Sequence, residues 1–568
     1  MKKQISKMLV ATMSLSLLLS VVACRPNGGK GEKIDEGKTQ LYVNVLECGV
    51  GNQFLTSLKS KFESAYANES FEAGKQGVQL MMRQAQVDDA QLTSALASPD
   101  VDIYYVVNVD FTKFINLTNG TSEYFEDITD IVIEGGEKSI HNSIYENYRK
   151  AYNVGTETAP KYFVLPWYSS YFGTVYDVGL FKEKHLYSND PESAIVYKGL
   201  DGIVQTEDDN WGPDGLPDTF DDGLPATWSD FDELLAEMKT QGITPFVFTE
   251  YADYANGWLG SLWASYEGKD NFQLSSNFDG TYTYTDENGE IATKQISFEN
   301  GYEVATQNGA KAAVSIAEKI IREKLFYEES LYSGTDHLKA QKLYLGSKAG
   351  LNPDGKPIAF LMEGSWWENE AKDYFAEIAA RKGSEYAYGT REFAMLPFPK
   401  FTESTEFVPK QVNTKITLKS NSVRRYVNGV LVNKKSDQKD LAKLFLKFAY
   451  SEEMNADFNI NSGLTRPMTY TMKPEQLQQL TPYQRSIYEL TQNENVEIVT
   501  SSCEKAVMRT QMSLIADINS FKSKMGTSEK TLVFSAFYTD NKITKESYWS
   551  GMLNSDVKSR WLAVNWNL

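Results

Sequence analysis

Between Lys198 and Trp228 the chain writes one acidic pattern twice. Gly199, Asp201, Gly202, Thr206, Asp208 and Asp209 return thirteen positions later as Gly212, Asp214, Gly215, Thr219, Asp221 and Asp222, and Asp218 adds a further carboxylate. Asp-Gly pairs turn tightly, so the later acids come back to the same spot. Carboxylates packed this way repel one another unless a hard cation sits among them, and calcium takes about six to eight oxygens in flexible geometry. The spacing is not that of an EF-hand. One reading is a pair of half-loops enclosing one or two calcium ions at Asp201, Asp208, Asp209, Asp214, Asp218, Asp221 and Asp222. The ion would then be structural, pinning an insertion with too few apolar residues to fold alone. The other reading is a solvated acidic loop.

Catalytic patterns are absent elsewhere. There is no HExxH, no GxGxxG, no GxxxxGK[ST] and no GxSxG. Gly49-Val50-Gly51 is half of a dinucleotide loop, and a plain tight turn explains it better. His141, His185 and His337 are the only histidines, and none stands in a hydrolase motif or at ligand spacing with another. A glycosidase needs only two carboxylates, and 76 acidic residues leave that open. The pattern favours binding over catalysis.

The N-terminus reads as a targeting segment. Lys2, Lys3 and Lys7 precede an apolar run from Met8 to Val22, which is short for a bilayer span and ends at Val21-Val22-Ala23-Cys24. That tetrapeptide resembles the lipobox of bacterial lipoproteins, in which the cysteine is lipidated and becomes the mature N-terminus. The expectation is a signal peptide over 1–23, a lipid on Cys24 and a flexible tether over 24–38, against an ordinary secretory peptide with a chance cysteine. Cleavage removes three lysines and no acids, taking the formal charge from −19 to −22. This acidity argues against nucleic acid and against lying flat on an anionic membrane, leaving the lipid as the membrane contact. Cys48 and Cys503 remain, as a disulfide or as two thiols. Aromatic residues are abundant, with 33 Tyr, 29 Phe and 10 Trp, more than packing usually requires.

The elements that must position any site follow a βαβαβ grammar. Leu41–Leu46 is strand-like, Phe54, Leu55, Leu58, Phe62 and Tyr66 recur at helical spacing, and Val78–Met82 is the next strand. Asp88–Ala97 reads as a helix and Val101–Val107 as a third strand. Such alternation predicts a parallel sheet covered by helices, with ligands at the carboxyl ends of its strands. Thr227 and Asp230 predict an N-cap, Gly242 a helix stop, and Ile243–Phe248 a strand. Asn277–Phe298 predicts a hairpin turning at Asp286-Glu287-Asn288-Gly289, Leu441 to Phe448 a helix, and the end from about Pro474 a mainly helical tail.

Several segments then occur in a telling order: Ala97-Ser98-Pro99-Asp100-Val101; Val164-Leu165-Pro166 through Gly173-Thr174-Val175-Tyr176-Asp177 and Leu180-Phe181; Leu224-Pro225-Ala226-Thr227-Trp228; Ala359 through Gly364-Ser365-Trp366; Met395-Leu396-Pro397-Phe398-Pro399; Lys443–Tyr450; and Ser462-Gly463-Leu464-Thr465-Arg466-Pro467. Together, behind a lipobox, they resemble the family 1 extracellular solute-binding proteins, the sugar-capturing lipoproteins of bacterial ABC importers. Tyr176-Asp177 stands where the family usually has Tyr-Asn.

The resemblance implies an α/β fold of two lobes joined by crossing strands, with a sugar in the cleft between them. Lobe one maps to 39–165 and 406–462, and lobe two to 166–405 and 463–568, the latter carrying the acidic insertion 198–223 and the hairpin insertion 277–298. Trp366 takes the place of the family's stacking tryptophan, with Glu363 beside it. Aromatic faces and polar rims suited to a sugar also gather at Trp167, Tyr168, Tyr171, Tyr254 and Trp258, and at Glu47, Asn108, Asp110 and Arg466. So many stacking candidates suit an oligosaccharide. The implied partners are a small carbohydrate and ABC importer permease subunits, with no catalysis. The alternatives are a surface glycan-binding lipoprotein without a transporter and a lipid-anchored glycosidase.

Overall fold

The computed structural model describes residues 32–564 apart from 46–48, 86, 88, 108, 252–253, 287, 403–412, 414, 421–427, 501–513, 516–517, 524–530 and 553–554. The expected signal segment, Cys24, Glu47, Cys48, Asn108 and Cys503 therefore lie outside the described residues.

The βαβαβ opening builds a sheet as its periodicity requires. β1 (Thr39–Val45), β2 (Val78–Arg83) and β3 (Ile103–Val107) pair in parallel, with Thr39 opposite Val78 and Val43 opposite Ile103. The helix Gln53–Ala65 crosses from β1 to β2 and buries Phe54, Leu55, Leu58 and Phe62, the stripe seen in the sequence. β4 (Val164–Pro166) ends the first pass through this lobe.

The chain then enters a second sheet through β5 (Phe172–Asp177). The acidic insertion follows, and the helix Trp228–Thr240 begins at a capping box in which Thr227 and Asp230 satisfy each other's backbone amides. β6 (Thr244–Val247) comes next. The predicted hairpin forms as β7 (Thr281–Thr285) and β8 (Ile291–Gln295). β9 (Ile358–Gly364) is buried along its whole length, and β10 (Phe393–Leu396) completes the order β10-β5-β9-β6. β9 runs parallel to β6 and antiparallel to β5.

β11 (Ile416–Lys419) precedes β12 (Asn428–Val432), which returns to the first sheet and lies antiparallel between β3 and β4, giving β2-β1-β3-β12-β4. Two main apolar cores result, one around Leu41, Ile103 and Phe445 and the other around Phe246, Phe360 and Trp263.

The tail is mainly helical as expected, with helices over Pro482–Gln492, Val533–Thr539, Lys545–Met552 and Ser555–Ala563, and it adds short strands that the pattern did not predict. β13 (Val496–Val499) pairs in parallel with β11, and β14 (Lys522–Ser523) pairs with β15 (Thr531–Leu532). Val-Glu-Ile-Val is a strand-former by composition, but its partner lies far upstream, so local pattern reading passes over it. Trp561, near the end, is fully buried against Phe278 and donates its indole N–H to the Phe298 carbonyl at 2.6 Å, clamping the tail onto the hairpin insertion.

Candidate ligand-binding site

β6 and β9 are parallel, so their carboxyl ends open toward the same edge of the second sheet. β9 delivers Glu363 and Gly364 to that edge, and Trp366 follows at the turn. The Trp366 indole folds back over Gly364, where an added Cβ would meet Trp366 Cη2 at 2.2 Å. Glycine is therefore required for the ring to lie there. Phe172, opposite Gly364 in the sheet, meets the indole edge-on with centroids 5.0 Å apart.

Tyr254 starts the long helix after β6 and accepts the Trp366 indole N–H on its hydroxyl at 3.3 Å. Its ring meets Phe172 edge-on at 5.6 Å and stacks on His337, 5.1 Å away and 8° from parallel. His337 opens the helix His337–Lys348, capped by Asp336, and Gln341 follows one turn later on the same face. The Gln341 amide donates to Glu363 Oε2 at 3.3 Å and to Glu370 Oε2 at 3.1 Å.

Burial pushes both carboxyls of this pair up, and the Glu370 charge raises Glu363 further, so the pair holds a proton above the usual carboxylate range. The Gly364 amide, donating to Glu363 Oε1 at 2.8 Å, works against that shift. Burial likewise pushes His337 down toward the neutral imidazole. His337 Nδ1 and Gln341 Oε1 are buried without a hydrogen-bond partner. The cluster thus holds two buried polar atoms with unused hydrogen-bonding capacity, one on the His337 ring itself.

The other lobe approaches this cluster. A Cβ on Gly49 would stand 3.1 Å from Glu370 Oε1 and 3.4 Å from Trp366 Cδ1. The Asn369 amide donates to the Ser462 carbonyl and reaches the Gly49 carbonyl at 3.5 Å. Trp366 also packs against the core of the first lobe. The cluster is thus a boundary between lobes.

A family model described as bacterial extracellular solute-binding protein matches residues 64–456. The chain belongs to the bacterial extracellular solute-binding proteins. A search of the curated proteins finds no match. Among solved structures, this solute-binding protein is similar to a chitin oligosaccharide binding protein (TM-score 0.49, 13% identity, 93% of this chain and 99% of that one). It is similar also to the solute receptor AcbH, described as preferring β-D-galactopyranose (0.48, 11%, 92% and 98%), and to maltose-bound MalE3 of T. maritima (0.47, 12%, 92% and 99%). Among the described residues no helix is long and apolar enough to cross a membrane.

The remaining sequence candidates fall into distinct places in this solute-binding protein. Trp167 is fully buried between Phe54 and Tyr105 and donates to the Val106 carbonyl at 3.2 Å. Trp258 is buried in the second core and donates to Thr174 Oγ1 at 2.9 Å. Arg466 is buried with its guanidinium between the Tyr450 and Phe458 rings, 4.2 and 4.4 Å from their centroids. Tyr171 is buried and donates to Ser169 Oγ at 3.0 Å. These four support the lobes and the first crossover, and none presents a free face. Tyr168 is half-buried against Trp167, and Asp110 is buried.

The cluster brings together Trp366, Glu363 and Tyr254 of the sequence candidates with Phe172, His337, Gln341 and Glu370, which the sequence reading did not name. The available signal was His337 and Gln341, two polar residues one helical turn apart behind the N-cap Asp336.

A separate cavity of about 610 Å³ opens where β6 and β9 begin, lined by residues including Lys239, Phe326, Tyr327 and Tyr332. It lies at the opposite strand ends from the cluster, and its charged lining comes mostly from exposed Lys, Glu and Asp side chains at the surface.

The doubled loop repeats in conformation as well as in sequence. Gln205 and Asp218, equivalent positions, both adopt left-handed backbone at φ 65° and 60°. Asp208 Oδ2 accepts from the Asp201 amide at 3.1 Å, and Asp221 Oδ2 from the Asp214 amide at 2.9 Å. Asp209 Oδ2 accepts from Gln205 at 2.6 Å, and Asp222 Oδ2 from Asp218 at 2.9 Å. The carboxylates close around threonine hydroxyls, and among the described residues no three or more His, Cys, Asp or Glu side chains surround an open metal position.

Proposed function

We propose that this solute-binding protein captures a carbohydrate, an oligosaccharide by preference, between its lobes and hands it to the permease of an ABC importer. The observation that carries the reading is the Trp366, Tyr254 and His337 ring cluster together with the buried, unpartnered polar atoms His337 Nδ1 and Gln341 Oε1. Rings meet the apolar C–H faces of a sugar, and hydroxyls supply both donors and acceptors to such atoms.

Lobe closure would complete the site, because Gly49 and Ser462 of one lobe already meet Asn369 and Glu370 of the other. Cys24 would carry the lipid that holds the body at the outer face of the cell membrane, on the tether that follows it. The protein would release its ligand unchanged. Glu363 and Glu370 share one amide donor at the floor of the site, which suits orientation of hydroxyls better than attack on a glycosidic bond.

The test is a thermal-shift screen of the purified protein against mono- and oligosaccharides, with product analysis of each mixture. An intact glycan that raises the melting temperature supports the reading. Released reducing sugar, or shifts with peptides and none with glycans, overturns it.

A further inference from the structure

We propose that the ligand carries a positive charge beside its hydroxyls, as an unacetylated amino sugar does, and that Glu370 receives the ammonium with Glu363 behind it. This rests on the carbohydrate reading above and narrows it to one chemical class.

The charge of the cluster is one-sided. Glu363 is 1% exposed, and Glu370 keeps 19% of its side chain open to solvent. Two carboxyls withdrawn from water together need a positive charge or a proton. Among the described residues, the one basic side chain within 4.0 Å of either is His337, whose Nε2 stands 4.0 Å from Glu370 Oε2. Burial favours the neutral imidazole, so His337 does not supply the missing charge.

Gln341 points to a ligand independently. Its side chain is 0% exposed, and its amide nitrogen faces both carboxyls, 3.3 Å from Glu363 Oε2 and 3.1 Å from Glu370 Oε2. Both amide hydrogens are spent there. Turning the amide over would set its oxygen against the carboxylates, so this orientation is the favoured one. Gln341 Oε1 is then left buried without a hydrogen-bond partner. The cluster has acceptors to spare and an exhausted donor. An ammonium brings three N–H donors and a full charge, whereas a hydroxyl brings one hydrogen and no charge.

The boundary between lobes places the ammonium. Glu370 Oε1 stands 3.1 Å from where a Cβ on Gly49 would lie, and Trp366 Cδ1 lies 3.4 Å from the same point. The more open carboxyl therefore meets the seam beside an indole ring. Aromatic faces attract cations and not anions. The same arrangement disfavours sugars that carry carboxylates.

The test is isothermal titration of the full-length protein with chitosan, chitin and cellulose oligomers of equal length, which differ at one substituent of each ring. Glucosamine, galactosamine and mannosamine are run beside their neutral parents, and spermidine serves as a cation that is not a sugar. An amine sugar should bind at least about tenfold more tightly than its neutral counterpart. Glu370→Gln should bring that ratio close to one. Circular dichroism checks the fold, and Glu363→Gln stands in if Glu370→Gln does not fold. Neutral sugars binding as tightly as amine sugars, or a ratio unmoved in a folded variant, would overturn the proposal and leave a shared proton as the partner of the two carboxyls, with the carbohydrate reading intact. Binding of spermidine and of no sugar would overturn the carbohydrate reading and support the cationic one. Binding of no probe would overturn both.

Discussion

The indole N–H of Trp366 donates to the Tyr254 hydroxyl at 3.3 Å, while the Tyr254 ring stacks on the parallel ring of His337. One tyrosine thus locks the two outer rings of the cluster. Trp366→Ala removes a whole aromatic face and should abolish the glycan-induced thermal shift, a loss of at least about 2 kcal/mol in binding. Tyr254→Phe keeps the stack and loses one hydrogen bond, so affinity should fall by roughly fivefold. Isothermal titration of both variants decides it, and equal losses would mean the two rings do not act in this order.

Asn369 ties the lobes together through the Ser462 carbonyl. Asn369→Ala should weaken closure, raising the ligand-free radius of gyration in small-angle scattering and lowering glycan affinity by about tenfold. If neither quantity moves, the contact is incidental to closure.

Glu368 gives the fold a pH dependence of known sign. It is buried, accepts from the Thr481 hydroxyl, and burial pushes it up to about 7 from 4.5. The folded state therefore holds this proton more tightly than the unfolded chain. Its contribution is fully present below about pH 4.5 and is lost as pH rises through 7, by up to about 3 kcal/mol. Between pH 5 and 8 the melting temperature of the wild type should fall relative to that of Glu368→Gln. Parallel curves would remove Glu368 as the cause.

Two glycines of the doubled loop should respond unequally. Both have positive φ, 75° at Gly202 and 70° at Gly212. An added Cβ at Gly202 meets nothing within 4 Å, but at Gly212 it would stand 2.2 Å from the Asp221 carbonyl oxygen. Gly202→Ala should cost about 1 kcal/mol of backbone strain. Gly212→Ala should cost several times that, because backbone must move. Chemical denaturation of the two variants, with matched costs as the failing outcome, tests the loop geometry without any ligand.

Local chemistry wrote much of this protein in plain view. Phe54, Leu55, Leu58 and Phe62 recur every third or fourth position because a helix has one buried face, and the structure buries that face. Thr227 and Asp230 announced their capping box because its two hydrogen bonds span only three residues. The doubled loop was legible for the same reason, since its repeat is local in both sequence and backbone. What the sequence could not decide was which aromatic residues stand at the boundary between the lobes. Trp167, Trp258 and Trp366 look alike as letters, yet the first two are buried in separate cores and the third stands at the boundary between lobes. The joining of Tyr254, His337, Gln341, Glu363 and Glu370 depends on two parallel strands ending at one edge, and the β11–β13 pair depends on a contact some eighty residues apart. Such placements rest on packing between distant segments, which no local spacing encodes.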